Sequence, residues 1–406
     1  MERERMADYR RYGWKIGVVL ICVAPNSLWA DMWQHSTASL PGGPRYAMSG
    51  VGVGGVALFA GGWPRVDTVD IYNPSAAPGS GWSAASLSVA RYDMGAVAVG
   101  DKALFAGGAG PTADSSRVDI YDSTSGSWTT SELSRAVYAP TAAACGSLAF
   151  FAGGANLEPG DYTLSDVVDI WNSTTGMWST QRLSVPRFGM GAASVGTKVL
   201  FAGGQNSISL DPGQVPTVTD VVDIFDTSTN TWSTHTLSTP RGFLGAATVG
   251  TKVLFAGGWL GDIHGQTTGR VDIYDSETDT WTTAELSVAR HRIAAAVLGD
   301  LVLFAGGTSG SQPEGTFTEY STVDVYDARS GTWSVGPSLA EARHDPEVAV
   351  VGNQALFAGG YDWGASSTVD IYTVPVPAAA LLGVLGLGSA GWWLRRDWGT
   401  RGQVLH

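Results

Sequence analysis

The tetrapeptide Phe-Ala-Gly-Gly occurs seven times, at Phe59, Phe105, Phe151, Phe201, Phe255, Phe304 and Phe357, at spacings of 46, 46, 50, 54, 49 and 53 residues. Each copy ends a short apolar run, as in Ala103-Leu104-Phe105. A chain that repeats itself at this period builds one supersecondary unit many times over, and neighbouring units must bury one another's apolar faces.

Other positions keep step with this anchor. Fourteen residues before the Phe stands an Arg: Arg45, Arg91, Arg187, Arg241, Arg290 and Arg343, with Val137 in the third copy. After each Gly pair comes a loop, then Val-Asp-Ile-Tyr or a relative. Its Asp recurs as Asp70, Asp119, Asp169, Asp223, Asp272, Asp324 and Asp370, followed two places on by an aromatic. A polar turn then leads to Trp82, Trp128, Trp178, Trp232, Trp281 or Trp333.

A double glycine after an apolar strand, then an aromatic, then a Trp, at about 50 residues per period, resembles the kelch repeat. The resemblance covers roughly residues 33 to 372. It implies an all-β fold, a seven-bladed kelch-type β-propeller with four antiparallel strands per blade. The residues read the same way. In the second repeat, strands are predicted over Tyr92–Val99, Lys102–Ala106 and Arg117–Asp122, with a fourth starting at Trp128–Ser131 and a hairpin at Gly100-Asp101. No segment shows a sustained helical period. Gly95, Ala96 and Ala98 in the first strand suit the crowded axis, where blades converge.

The last repeat has Arg343, Phe357 and Tyr372, but no Trp follows before Pro375. Trp33 precedes Arg45 by twelve residues, where later Trp residues precede their Arg position by nine or ten. The N-terminal strand is therefore expected to complete the last blade, with Trp33 as the seventh Trp. That closure leaves no blade open.

The ends of the chain differ from the repeats. Arg3, Arg5, Arg10, Arg11 and Lys15 precede the apolar run Ile16–Ala24, and Ala30 follows Leu28-Trp29. This is the layout of a secretory signal peptide over 1–30, and an uncleaved anchor is the alternative. At the other end, Val374-Pro375-Val376-Pro377 leads into an apolar run, Ala378–Leu394, closed by Arg395-Arg396. The 374–396 segment is similar to the PEP-CTERM sorting signal of Gram-negative bacteria. That resemblance implies handling by an exosortase-type processing enzyme and delivery to the cell surface or the extracellular space. The usual Glu between the prolines is Val376 here, and a short tail, 397–406, follows the Arg pair. A permanent single-pass membrane anchor is the other reading. The propeller then occupies 31–373.

Net charge is -13; without residues 1–30 and 378–406 the body keeps 16 basic and 33 acidic residues, or -17. Such a surface repels phosphate backbones and argues against nucleic acid as a partner. Cys145 is the one cysteine left in that body, so no disulfide framework is available, and a buried small residue is the expected role.

The loops after the Gly pairs hold 6, 9, 13, 17, 12, 15 and 8 residues, and the long ones belong to blades 3 to 6. Loops on a rigid scaffold carry specificity. Glu158, Asp161, Asp211, Trp259, Asp262, His264, Glu319, Tyr320 and Trp363 are the candidate ligand residues there. Acidic and aromatic loops suit an extracellular polysaccharide or a protein partner; they equally suit plain solvated loops. No cofactor and no catalytic residue is assigned. A copper radical oxidase site would need a motif that Cys145, His235, His264, His291 and His344 do not form. His291 and His344 follow the repeat Arg, where other repeats carry Tyr46, Tyr92, Tyr138 and Phe188, so a structural aromatic slot is expected. A sugar mutarotase of the sialic-acid type, also a kelch propeller, would need an acid/base pair near the axial mouth. The recurrent Arg and Asp are expected there, but a device present in every blade reads as structural: each Arg is expected to pair with a repeat Asp or to cap backbone carbonyls, with Arg135 substituting where Val137 breaks the pattern. A non-catalytic binding protein is the expectation, with the sugar-modifying enzyme as the alternative.

Overall fold

The computed structural model describes residues 33–374 except 78–79, 159–160, 209–214, 263 and 311–316. The signal-like leader, Asp211, and the sorting residues Pro375, Val376, Pro377, Arg395 and Arg396 lie outside the described residues. Among the described residues no helix is long and apolar enough to cross a membrane.

Seven four-stranded antiparallel sheets follow one another along the chain. Blade 2 is typical: Gly95–Val99 innermost, then Lys102–Ala106, Arg117–Asp122 and, outermost, Ser127–Glu132. The first strand is shorter than the sequence predicts, because Tyr92 leaves the ladder and bridges Ala109 on the loop side. Register sets Phe105 opposite Asp119 and Tyr121 opposite Trp128. The other complete repeats match these positions, so the periodicity of the sequence is the periodicity of the blades.

Blade 7 is completed from the other end of the chain. Gln34–Ser39 pairs antiparallel with Thr368–Thr373, beside Gln354–Ala358 and Glu347–Val351. The ring closes as expected, but the register corrects the role given to Trp33. His35, not Trp33, faces Tyr372, with the two rings stacked at 4.6 Å. The spacing agrees: His35 lies ten residues before Arg45, as Trp333 lies ten before Arg343, while the other Trp residues stand nine before their Arg position. Trp33 precedes the strand and meets Tyr372 edge-on at 6.5 Å.

The core lies between blades. Seven apolar clusters each draw on two neighbours, as where Val51, Val53 and Leu58 of blade 1 enclose Met94, Phe105 and Tyr121 of blade 2. At their closest approach the inner strands leave room only for glycine. A Cβ added at Gly52 would lie 1.9 Å from the Val350 carbonyl oxygen of blade 7. Both glycines of every Phe-Ala-Gly-Gly copy have positive φ, so the pair turns the chain where a side chain would strain it. Cys145 is buried and unpaired, its Sγ 3.4 Å from the Gly196 carbonyl.

The repeat Arg and Asp form one buried device. The six Arg side chains are at most 1 % exposed. Each pairs with the Asp of its own blade: Arg187–Asp223 and Arg241–Asp272 at 2.7 Å, Arg290–Asp324 at 2.8 Å, Arg343–Asp370 at 2.5 Å, and likewise Arg45–Asp70 and Arg91–Asp119. Arg187, Arg241, Arg290 and Arg343 also donate to the carbonyl of the repeat Phe, at 3.0 to 3.1 Å. The Asp has a second task. In all seven blades its carboxylate accepts the backbone N–H three residues before the Arg position, as from Ser88 to Asp119 and Ser238 to Asp272. Pairing and these bonds offset the cost of taking both charges out of water.

Blade 3 keeps half of this device. Val137 joins the apolar cluster, and Asp169 still accepts the Ser134 N–H at 3.3 Å. Arg135 does not substitute for the lost Arg: no ion pair joins it to Asp169 among the described residues. Burial raises the Asp169 pKa, opposed by the Ser134 bonds and only weakly by the charge of Arg135.

Candidate functional site

Immediately after the buried Arg position, each blade makes a tight turn at the axis. The second residue of that turn has positive φ in all seven blades: Ala47, Asp93, Ala139, Gly189, Phe243, Arg292 and Asp345. Five backbone bonds run around the ring from one turn to the next, as from the Asp93 N–H to the Ala47 carbonyl at 2.9 Å. For Phe and Arg this backbone region is uncommon, and such positions concentrate where a side chain must be aimed. The ring therefore fixes seven positions around the axial mouth, six of which carry a side chain, and the sequence varies them freely.

The mouth opens into a cavity of about 1460 Å³. Its inner wall is the slot after the repeat Arg (Tyr46, Tyr92, Tyr138, Phe188, His291 and His344), so the aromatic slot expected to be structural also faces the cavity. A smaller cavity of about 310 Å³ shares Phe243, Arg292, Asp345 and Glu347 with it.

The charges at the mouth are not the repeat Arg and Asp, which are buried inside the blades. Among the described residues they are Asp93, Arg292, Asp345 and Glu347, which depart from the repeat, with Asp262 and Glu319 of the loops also in the cavity wall. Arg292 Nη1 donates to Asp345 Oδ2 at 2.6 Å, and its guanidinium lies 4.9 Å from the Phe243 ring centroid. The two side chains remain 39 % and 30 % accessible through the mouth although protein surrounds them. Asp345 feels burial, which pushes its carboxyl up, but Arg292 and His344 outweigh this and hold it below the ordinary range. Across the axis, burial pushes Asp93 up to about 6, although the Tyr138 hydroxyl donates to it at 2.5 Å. Glu347 goes further: burial, reinforced by Asp345, takes it up to about 8, against one bond from the Gly50 N–H at 3.3 Å. Burial and Arg292 lower His291 to about 3, so its ring is neutral. Among the described residues of the mouth, Arg292 is thus the cation, Asp345 is ionised, Asp93 gives up its proton just below neutrality and Glu347 keeps its own.

Of the residues singled out from the loops, Trp259, Asp262, Glu319 and Trp363 line the cavity. Glu319 sits in a two-stranded hairpin, Thr308–Ser309 with Thr318–Glu319, and shares a 2.9 Å hydrogen bond with His344 Nδ1 of the next blade. Tyr320 and His264 are not in the cavity wall; the Tyr320 hydroxyl instead bonds Ser309 Oγ at 2.9 Å. Glu158 and Asp161 flank the tip of a second hairpin, Ala155–Glu158 with Asp161–Leu164, whose Leu157 reaches the cavity. Sequence reasoning passed over Asp93, Arg292, Asp345 and Glu347. Their signal was present as departures from the repeat: four places after the Arg position stand Ser49, Gly95, Thr141, Gly191, Gly245, Ala294 and then Glu347.

The family model for the Kelch motif matches residues 186–234 and 240–285, which are the fourth and fifth repeats. A solved structure titled "Structure of YjhT" superposes with a TM-score of 0.56 at 15% sequence identity, over 74% of this chain and 99% of that one. A likeness at that identity is one of fold. No curated protein matches the chain. With seven four-stranded blades, a seven-fold Gly-Gly repeat and two motif matches, the chain is a kelch-type β-propeller.

Proposed function

We propose that this propeller is an exported, non-catalytic binding protein that takes a carbohydrate into its axial mouth. The observation that carries the reading is the cavity of about 1460 Å³, walled by aromatic rings and by a few polar groups that depart from the repeat. Sugars offer apolar C–H faces to rings and hydroxyls to fixed donors and acceptors, and small-molecule sites are built in that way. The volume exceeds the roughly 300–1,000 Å³ of an ordinary small-molecule pocket, which suits more than one sugar ring. The acidic body argues against a phosphate-rich ligand. Export to the cell surface, with an exosortase-type enzyme acting on the C-terminal segment, completes the proposal and rests on the sequence of the two ends.

The test is a glycan-array and calorimetric binding measurement on the purified protein and on Arg292→Ala. Saturable binding of a glycan, weakened at least tenfold by the substitution, supports an axial carbohydrate site. Binding to no glycan, or binding indifferent to Arg292, rejects it; a protein partner is then the remaining binding reading.

Glu347 and Asp93 favour a second reading, a sugar-modifying enzyme of the mutarotase kind. A carboxyl that holds a proton up to about 8 and another that loses one at about 6 are matched to donate and accept near neutrality. Anomer exchange followed by proton NMR decides it. Acceleration by the protein that Glu347→Gln abolishes supports catalysis, and an unaccelerated rate supports binding alone.

A further inference from the structure

The rim of the mouth is uneven. Blades 7, 1 and 2 carry loops of 8, 6 and 9 residues after the Gly pair, whereas blades 3 to 6 carry 12 to 17. On the low side the aromatic wall does not stop at the cavity. The Tyr361 and Tyr46 rings meet at 5.0 Å, and the Trp63 and Tyr92 rings at 5.4 Å. Tyr46, Tyr92 and Tyr361 line the cavity, but Trp63 lies beyond its lining, so here the aromatic surface runs out of the mouth. Trp63 is 42% exposed and Trp363, at the other end, 72%. Both are held, not loose. The Arg65 guanidinium sits 5.9 Å from the Trp63 ring centroid and bonds the Pro111 carbonyl of blade 2. Trp363 has φ +50, a conformation that a bulky residue adopts rarely and only when its surroundings impose it.

Extending the axial carbohydrate reading, on which it rests, we propose that blades 7, 1 and 2 bear an extended neutral polysaccharide, whose sugar faces lie on Trp363 and Trp63 as it leaves the cavity. Ring faces open to solvent are the platforms on which a sugar's C–H face rests. Charge argues against an anionic chain. The body is strongly acidic, and the cations of these loops are already engaged, Arg65 with two rings and a carbonyl and Arg117 with Glu132. A chain needs an open side, and the short loops provide one.

The experiment is calorimetry with cellohexaose, maltohexaose, laminarihexaose and chitohexaose, each against its own monosaccharide. It uses the wild-type protein, Trp363→Ala, Trp63→Ala and Arg292→Ala. We expect at least one hexasaccharide to bind tenfold or more tightly than its monosaccharide. Each Trp substitution should weaken the hexasaccharide at least fivefold, and Trp63→Ala, outside the cavity lining, should leave the monosaccharide within twofold. Equal affinity for hexamer and monomer, or indifference to both Trp substitutions, overturns the proposal while the axial reading stands. Loss of hexamer binding in the Trp variants with no effect of Arg292→Ala keeps the rim site and removes the axial one. Binding of no sugar by the folded wild-type protein overturns both.

Discussion

Arg292 and Asp345 are joined twice across the junction of blades 6 and 7: Arg292 Nη1 donates to Asp345 Oδ2 at 2.6 Å, and the Asp345 N–H donates to the Arg292 carbonyl at 3.2 Å. The backbone bond fixes where the two turns meet, and the side-chain bond sets the charge there. Burial alone would raise Asp345; Arg292 is the main group that opposes it. Replacing Arg292 with Leu keeps the backbone bond and removes the charge. The Asp345 midpoint should then move from below the ordinary carboxylate range to above it, as read by carboxyl carbon-13 NMR against pH. An unmoved midpoint means that Arg292 does not govern this site.

Glu347 makes stability depend on pH. In the native protein it keeps its proton up to about 8, whereas in the unfolded chain it ionises near its ordinary value of 4.5. Between those values the native state holds a proton that the unfolded state does not, so stability is full below the window and declines as pH rises through it. The slope for one proton is at most about 1.4 kcal/mol per pH unit. Asp93 adds a smaller decline that ends near 6. Urea unfolding from pH 5 to 9 should therefore show midpoints that fall up to about pH 8 and then level off in the wild type, and a profile that is nearly flat above pH 6 in Glu347→Gln. Parallel profiles would mean that Glu347 is ionised in the native state.

The buried Arg–Asp pairs stand together or fall together. Arg187→Met leaves Asp223 buried without its partner and should cost about 3–5 kcal/mol in unfolding free energy. Adding Asp223→Asn should recover part of that loss, because the orphaned charge goes while the amide can still meet the Ser184 N–H. Blade 3 already lives with Val137 opposite Asp169, so Asp169→Asn should cost less than Asp223→Asn alone. A strictly additive double-mutant cycle would contradict the pairing.

Gly52 tests the closeness of the first and last inner strands. A methyl group there would lie 1.9 Å from the Val350 carbonyl oxygen, and that backbone cannot swing aside without moving blade 7. Gly52→Ala should cost about 1–3 kcal/mol or more. Gly100→Ala, at a hairpin where a Cβ meets nothing within 4 Å, carries only the positive-φ strain and should cost less. Thermal unfolding of the two variants gives the comparison, and equal losses would show that strain rather than contact sets the cost.

The blades were legible because each fold-determining residue recurs. Phe105 and Asp119 have counterparts in every blade and Trp128 in six, in one order though with loops of varying length between them, and a position repeated in every blade is one that every blade needs. The axial site was harder to read for the same reason. Asp93, Arg292 and Glu347 are exceptions within a pattern, far apart in the chain, and they meet only because the ring brings blades 2, 6 and 7 to one axis. The loops drew attention by length, yet Trp259 and Glu319 line the cavity while Tyr320 braces a hairpin; side-chain direction at a loop is set by pairing that length does not reveal. His35 shows the same limit at single-residue scale. Trp33 matched the repeat by residue type, and only the register showed that His35 fills the place.

That place makes His35 a clasp for the ring. Its Nε2 lies 2.7 Å from Asp370 Oδ1, the carboxylate that also holds Arg343 and the Ala340 N–H, and its ring stacks on Tyr372 at 4.6 Å. His235 stacks on Trp281 at 4.5 Å but bonds no buried carboxylate among the described residues. His35→Ala should therefore cost about 1.5–3 kcal/mol, the range for a hydrogen bond to a charged group, and His235→Ala markedly less. Because the closing strand is the one blade element brought from the far end of the chain, its loss should open blade 7 before the rest. Hydrogen exchange at Thr368–Thr373 should accelerate in His35→Ala while exchange in Arg117–Asp122 of blade 2 stays as in the wild type. Uniform acceleration in both strands would show that the ring unfolds as one unit and that His35 is not its clasp.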